Sequence, residues 1–180
     1  MNTAEVIKHT ETWVKEVVIG CQFCPFAYKV VAEKKIRFIV VEDTYADPIL
    51  KALVNELQYL DNHPETETTL LILPAAFTDF ATYLSFTDRA EKTLRKYRYE
   101  GIYQLATFHP QYCFAGSHED DAANYTNRSP YPMLHVLRED SLEEALAHFP
   151  SPESIPERNI RFAHEKGLHY MQHLMASCMR

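Results

Sequence analysis

The sequence predicts one α/β domain over residues 1–180, with a mixed or mainly parallel sheet of about four strands covered by helices. Three observations lead there. The chain has 180 residues, 46% of them apolar and 24% charged, which suffices for one core and is too short for two ordinary domains. Short β-rich runs alternate with longer stretches of helical apolar spacing. No internal repeat, low-complexity tract or linker interrupts them.

The elements follow in order. Thr3 can cap a first helix whose apolar positions Val6, Trp13, Val14, Val17 and Val18 recur at helical spacing, with Gly20 as its end. Pro25 suits a first helical position, which makes Cys24 the N-cap of a short helix to about Val31. Lys35 to Glu42 reads as a strand, and Lys34, Lys35 and Arg37 as its solvated entry. Asp47-Pro48 opens a helix with Ile49, Leu53, Leu57 and Leu60 on one face. Thr68 to Leu73 is a strand closed by Pro74.

A helix then runs from Thr78 or Asp79 to about Arg98, stopped by Gly101. Ile102 to Phe108 and Met133 to Leu137 are strands. Ser141 with Glu144, and Ser154 with Glu157, form capping boxes for two final helices. The last carries Ile160, Ala163, Met171, Leu174 and Cys178 on one stripe, where Gly167 is expected to permit close packing. Residues 109–131 have neither period. A connection that long tends to be functional, and its four aromatics suggest that it packs down.

Composition excludes several classes. The four glycines (Gly20, Gly101, Gly116, Gly167) are too dispersed for any Gly-rich phosphate loop or G-x-S-x-G elbow. The net charge of −7 is concentrated in residues 101–157, which hold nine acids and two bases. An acidic chain without a basic stripe is a poor nucleic-acid binder. No apolar run approaches the ~18 residues of a membrane span, and no export signal is visible. A cytoplasmic location with reduced cysteines is therefore expected.

Four strings carry a resemblance: Val18-Ile19-Gly20 with Cys24-Pro25-Phe26-Ala27; Phe108-His109-Pro110 with Tyr112 and Phe114-Ala115-Gly116; Asp120-Asp121 with Asn124; and Asn127-Arg128-Ser129-Pro130-Tyr131-Pro132 leading to Leu134-His135 and Leu137-Arg138-Glu139. Over essentially the whole chain they resemble a mostly bacterial family, domain of unknown function 1415. The resemblance implies that the Cys-Pro-Phe turn and the long polar loop define the family. It implies no activity and no cofactor. Cys21 and Cys113 depart from the family pattern.

Three functional readings are open. In the first, the protein is a small-molecule enzyme. Cys24, activated at a helix N-terminus, is the nucleophile or polariser, and His109 or His135 is the acid/base. Asn124, Asn127, Arg128 and Ser129, with Arg138 behind them, hold an anionic substrate, since a guanidinium clamps carboxylate or phosphate in bidentate fashion. Cys24, His109 and the loop are expected to converge at one sheet edge. In the second, the protein binds or assembles without catalysis, and the loop is a structural plug. In the third, His109, His118 and Asp120 or Asp121 hold a metal ion. Cys21-x-x-Cys24 has redox spacing but precedes the first strand, where a thioredoxin-type motif does not sit.

Overall fold

Alternation along one strand divides the molecule. The computed structural model describes residues 2–180. In β2 (Thr68–Ile72) all five residues are buried. Leu71 belongs to one hydrophobic core, and Leu70 and Ile72 to another. Successive side chains of a strand point to opposite faces, so a strand buried on both sides lies between two helical layers.

The sheet has the order β1-β2-β4-β3, with β1 Ile36–Val40, β3 Tyr103–Phe108 and β4 Met133–Arg138. β1 and β2 are parallel, while β4 is antiparallel to both β2 and β3. The sheet is mixed because the connection from β3 to β4 returns at the same end instead of crossing over.

One face is covered by α3 (Ala46–Asn62) and α4 (Phe80–Lys96). Ile49, Leu53, Leu57 and Leu60 of α3 meet Tyr83, Phe86, Ala90 and Leu94 of α4 over Leu134 and Val136. α4 starts close to the expected Thr78 or Asp79, and Asp79 caps it, accepting from the Thr82 N–H at 2.8 Å. The apolar stripe of α3 has one polar member, Glu56, which is 6% exposed. Arg37 donates to it in bidentate fashion, so Arg37 is held in an ion pair and only partly solvated, where its sequence context suggests a solvated strand entry.

The other face is covered by α1 (Thr3–Trp13), a π-helical continuation (Val14–Ile19), α6 (Ile155–Lys166) and α7 (Leu168–Ser177). Asn2, not Thr3, caps α1. The Thr3 hydroxyl donates to Glu42 beyond β1, and Trp13 packs edge-on against Phe108 of β3. Thus α1 runs from one edge strand to the other, across the end where β1, β2 and β3 finish.

Several sequence expectations change. The short α2 is Ala27–Ala32, so Cys24 is not its N-cap. α5 spans Glu139–Ala147, so Ser141 lies inside it and not at its cap. Ser154 does stand at the N-cap of α6, but its hydroxyl donates to the Ser151 carbonyl and forms no capping box. The predicted last helix is two helices, broken at Gly167 with φ 81° and ψ 162°, a conformation only glycine adopts readily. Its missing Cβ faces open space, so backbone conformation and not close packing requires glycine there. At Gly20 the reverse holds. Its φ of −60° suits any residue, but a Cβ would lie 2.3 Å from the Glu16 carbonyl oxygen.

Candidate functional site

The loop 109–131 joins β3 to β4, and its centre is Asn124, which is 0% exposed. The Asn124 Oδ1 accepts the Phe114 N–H at 3.0 Å, and Nδ2 donates to the His118 carbonyl at 2.8 Å and weakly to that of Glu119. Its own carbonyl accepts the Asn127 and Arg128 N–H groups. Burying an amide demands such partners. Asn124 sits in a 3₁₀ turn (Ala122–Thr126), which Asp121 caps through the Ala123 N–H at 2.8 Å.

Arg128 has a similar role. Its Nε donates to the Tyr112 carbonyl at 3.0 Å and its Nη2 to the Glu119 carbonyl at 2.8 Å. The guanidinium carbon stands 4.6 Å from the centre of the Tyr125 ring. The cation therefore binds backbone oxygens and an aromatic face, and not a neighbouring carboxylate. Ser129 is buried and donates to the Tyr131 carbonyl at 2.6 Å. Asn127 receives the Thr126 hydroxyl at 3.2 Å and reaches the Thr107 carbonyl at 3.5 Å.

The loop is also tied to its surroundings. The Trp13 indole N–H donates to the Arg128 carbonyl at 3.0 Å. His9 Nδ1 lies 2.7 Å from the Tyr131 hydroxyl. His164 of α6 lies 2.7 Å from Asp121, whose other oxygen accepts the Ser117 hydroxyl. The Ala123 N–H, and after it His164, hold the Asp121 carboxyl below its ordinary pKa. Nothing in the local sequence marks His164, which is 43 residues from its partner.

His109 is 0% exposed. Its Nε2–H donates to the Phe77 carbonyl at 2.8 Å, and its Nδ1 accepts the Gln111 N–H at 3.0 Å. Both nitrogens are thus committed to backbone, which fixes one neutral tautomer. Burial lowers its pKa. The rings of Phe80 and Tyr83 enclose it at 5.2 and 4.9 Å, which places it on the α3–α4 side of the sheet.

Cys24 lies elsewhere. Its neighbour Phe23 is in the α1–α6–α7 core, and its N–H reaches back to Val18. Cys24 and His109 are therefore on opposite faces of the sheet and do not converge. Burial pushes the Cys24 thiol pKa up, only partly offset by the Phe26 and Ala27 N–H groups. A six-residue helix beginning three positions later does not supply the dipole that an activated thiol needs. Cys21 is buried, and all four cysteines are free.

His135 and Arg138 separate as well. His135 faces the same side as Phe108, 6.3 Å from its ring. Its Nε2 is sealed from solvent with no hydrogen-bond partner among the described residues, and burial lowers its pKa to about 4. Arg138 is at the far end of the sheet. Its Nη2 donates to the Leu60 carbonyl at 2.7 Å, where it caps the C-terminal end of α3, and its Nη1 reaches the Tyr103 hydroxyl at 3.3 Å.

The metal candidates scatter too. His118 and Asp120 are exposed and 3.8 Å apart, Asp121 faces His164, and His109 points inward. Among the described residues no three His, Cys, Asp or Glu side chains come together as a metal site. None of the helices among them is long and apolar enough to cross a membrane.

Fold and loop together define a three-layer α/β domain with an ordered, internally bonded loop over one end of its sheet. Residues 5–173 match the model of the family described as "Protein of unknown function (DUF1415)", and the chain belongs to that family. No curated protein and no solved structure matches it.

Proposed function

We infer that the protein is a binding or assembly module without catalytic chemistry, and that the 109–131 loop is a structural plug. Asn124 carries this reading. It is the loop's most central polar side chain, and its contacts are all to the loop itself. A substrate pocket needs polar groups that converge on open space. Ser129 and His109 repeat the pattern, each with its donor on a backbone oxygen, and Arg128 places its Nε and Nη2 on two more. The alternative of a thiol enzyme needs Cys24 and a solvent-reachable histidine base together. His109 is across the sheet from Cys24, and His135, on the Cys24 side, has its Nε2 sealed from solvent.

The test is Arg128→Ala, followed by hydrogen exchange and thermal unfolding. The expected outcome is loss of protection across residues 109–131 and a lowered unfolding midpoint. In parallel, the alkylation rate of Cys24 as a function of pH is expected to show an inflection above the usual ~8.5 of a free thiol. An unchanged midpoint in Arg128→Ala, or a Cys24 inflection near or below pH 7, overturns the reading.

A further inference from the structure

The α3–α4 layer has an outward face that the loop does not touch. Between the two helices runs a groove of about 700 Å³. Leu50 and Val54 lie along its α3 wall, and Lys51, Arg89, Lys92 and Lys96 supply its charge. Arg89, Lys92 and Lys96 are spaced three and four residues apart on α4, so they form one stripe about 10 Å long. Asp47 is the one carboxylate lining the groove, and it pairs with Arg89 at 2.5 Å. Lys51, Lys92 and Lys96 make no ion pair among the described residues. The groove thus carries a surplus of positive charge on a chain whose net charge is −7.

The matching surface is on the same chain. Residues 139–157 contain six acids (Glu139, Asp140, Glu143, Glu144, Glu153, Glu157) and no Lys or Arg. Asp140, Glu143 and Glu144 lie on one stripe of α5, and all three are exposed. No residue of α5 is buried, although Leu142, Ala145 and Leu146 are half-covered. The helix therefore presents its acidic side to solvent with the same one-turn spacing as the cations of α4.

We propose that the α3–α4 groove of one copy receives the acidic helix α5 of a second copy. Complementary charge at helical spacing sets orientation and register, and a contact between two different patches links copies heterologously. Exposed ion pairs are individually weak, so the association is concentration-dependent and salt-sensitive. The proposal rests on the protein being a binding or assembly module. The Arg128 test probes only the loop and this one only the two surfaces, so the two fail separately.

The experiment is light scattering on the full chain over a concentration series at low and high salt. Two charge-reversed variants accompany it, Lys92→Glu with Lys96→Glu and Glu143→Lys with Glu144→Lys. All of these positions are exposed, and circular dichroism verifies folding. Wild type is expected to associate. Each reversed variant, and the step from about 0.05 to about 0.5 M salt, is expected to raise the midpoint concentration at least about tenfold. Mixing the two variants restores association, because each reversed helix then meets a groove of opposite sign. A wild type that stays monomeric throughout overturns the proposal, as does association indifferent to both reversals. Saturable stabilisation of a monomer by pyrophosphate overturns it too, since the groove would then hold a small polyanion.

Discussion

His164 Nε2 and Asp121 Oδ1 are 2.7 Å apart, joining α6 to the cap of the 3₁₀ turn. The Asp121 carboxyl also accepts the Ala123 N–H and the Ser117 hydroxyl. One carboxylate thus holds α6 and two stretches of the 109–131 loop together. Its folded pKa is below its ordinary value. A depressed carboxylate stabilises the fold above the unfolded pKa of about 4, and that contribution disappears as the pH falls through the folded value. Asp121→Asn is expected to flatten the stability profile below about pH 4, and Asp121→Ala to cost about 1 kcal/mol at pH 7 through the lost cap. Urea unfolding across pH tests both.

Glu56 and Arg37 form a pair in which the acid is buried and the base about a third exposed. Thr69 adds a weaker contact at 3.3 Å, and the Tyr59 ring stacks 3.9 Å below the guanidinium. Removing one partner strands the other. Arg37→Ala is expected to cost about 2–4 kcal/mol, somewhat less than the ~3–5 kcal/mol of a fully buried broken pair because Arg37 is partly hydrated. Arg37→Met combined with Glu56→Leu is expected to recover most of the loss. A double variant no better than Arg37→Ala would contradict this account.

His135 has a sealed, unpartnered Nε2 and a folded pKa of about 4. The unfolded chain takes up its proton near pH 6.5, and the folded chain does not until about pH 4. Stability therefore falls as pH drops between those values, a window above that of Asp121. His109, also depressed by burial, adds to the same slope. His135→Leu is expected to raise stability by about 1–2 kcal/mol at pH 5, since it removes an unmet polar group, and to reduce the slope. An unchanged slope would show that the imidazole is hydrated in solution.

At Gly20 the sign of a familiar substitution reverses. Glycine to alanine at a right-handed helical position usually stabilises, by about 0.4–1 kcal/mol. Here the new methyl would meet the Glu16 carbonyl of the π-turn at 2.3 Å. Gly20→Ala is expected to destabilise by about 1–3 kcal/mol, as overpacking does. A thermal midpoint at or above wild type would mean that the π-turn relaxes to an α-turn at no cost.

Much of the fold was legible because it depends on local pattern. The stripe Ile49, Leu53, Leu57, Leu60 has helical period and packs as that period requires. The four strands fall where β-rich runs occur, and Asp79 caps α4 from its place ahead of an apolar stretch. Sequence and structure part where two rules compete. Pro25 suits a helix start, yet the chain needs one more turn before α2. Gly167 continues an apolar stripe, but its backbone breaks it.

The candidate site was legible as residue types and not as an arrangement. The polar members of 109–131 are the ones that order the loop, and their sequence cannot distinguish a side chain facing solvent from one facing its own backbone. That distinction comes from burial, which depends on His9, Trp13 and His164 arriving from distant segments. Glu56 and His164 carry no local signal, because each looks like an ordinary polar helix residue until its partner is placed.

The sequence by itself determined an α/β domain, its helix faces, its strands, an acidic stretch over residues 101–157 and the absence of glycine-based phosphate loops. These follow from composition and period, which act over a few residues. Only the tertiary structure decided the mixed strand order, the opposite faces taken by Cys24 and His109, and the alignment of Lys51 with the α4 cations across a groove. Those depend on where chain segments far apart in sequence pack, and packing answers to the burial of whole faces, to which single residue types are indifferent.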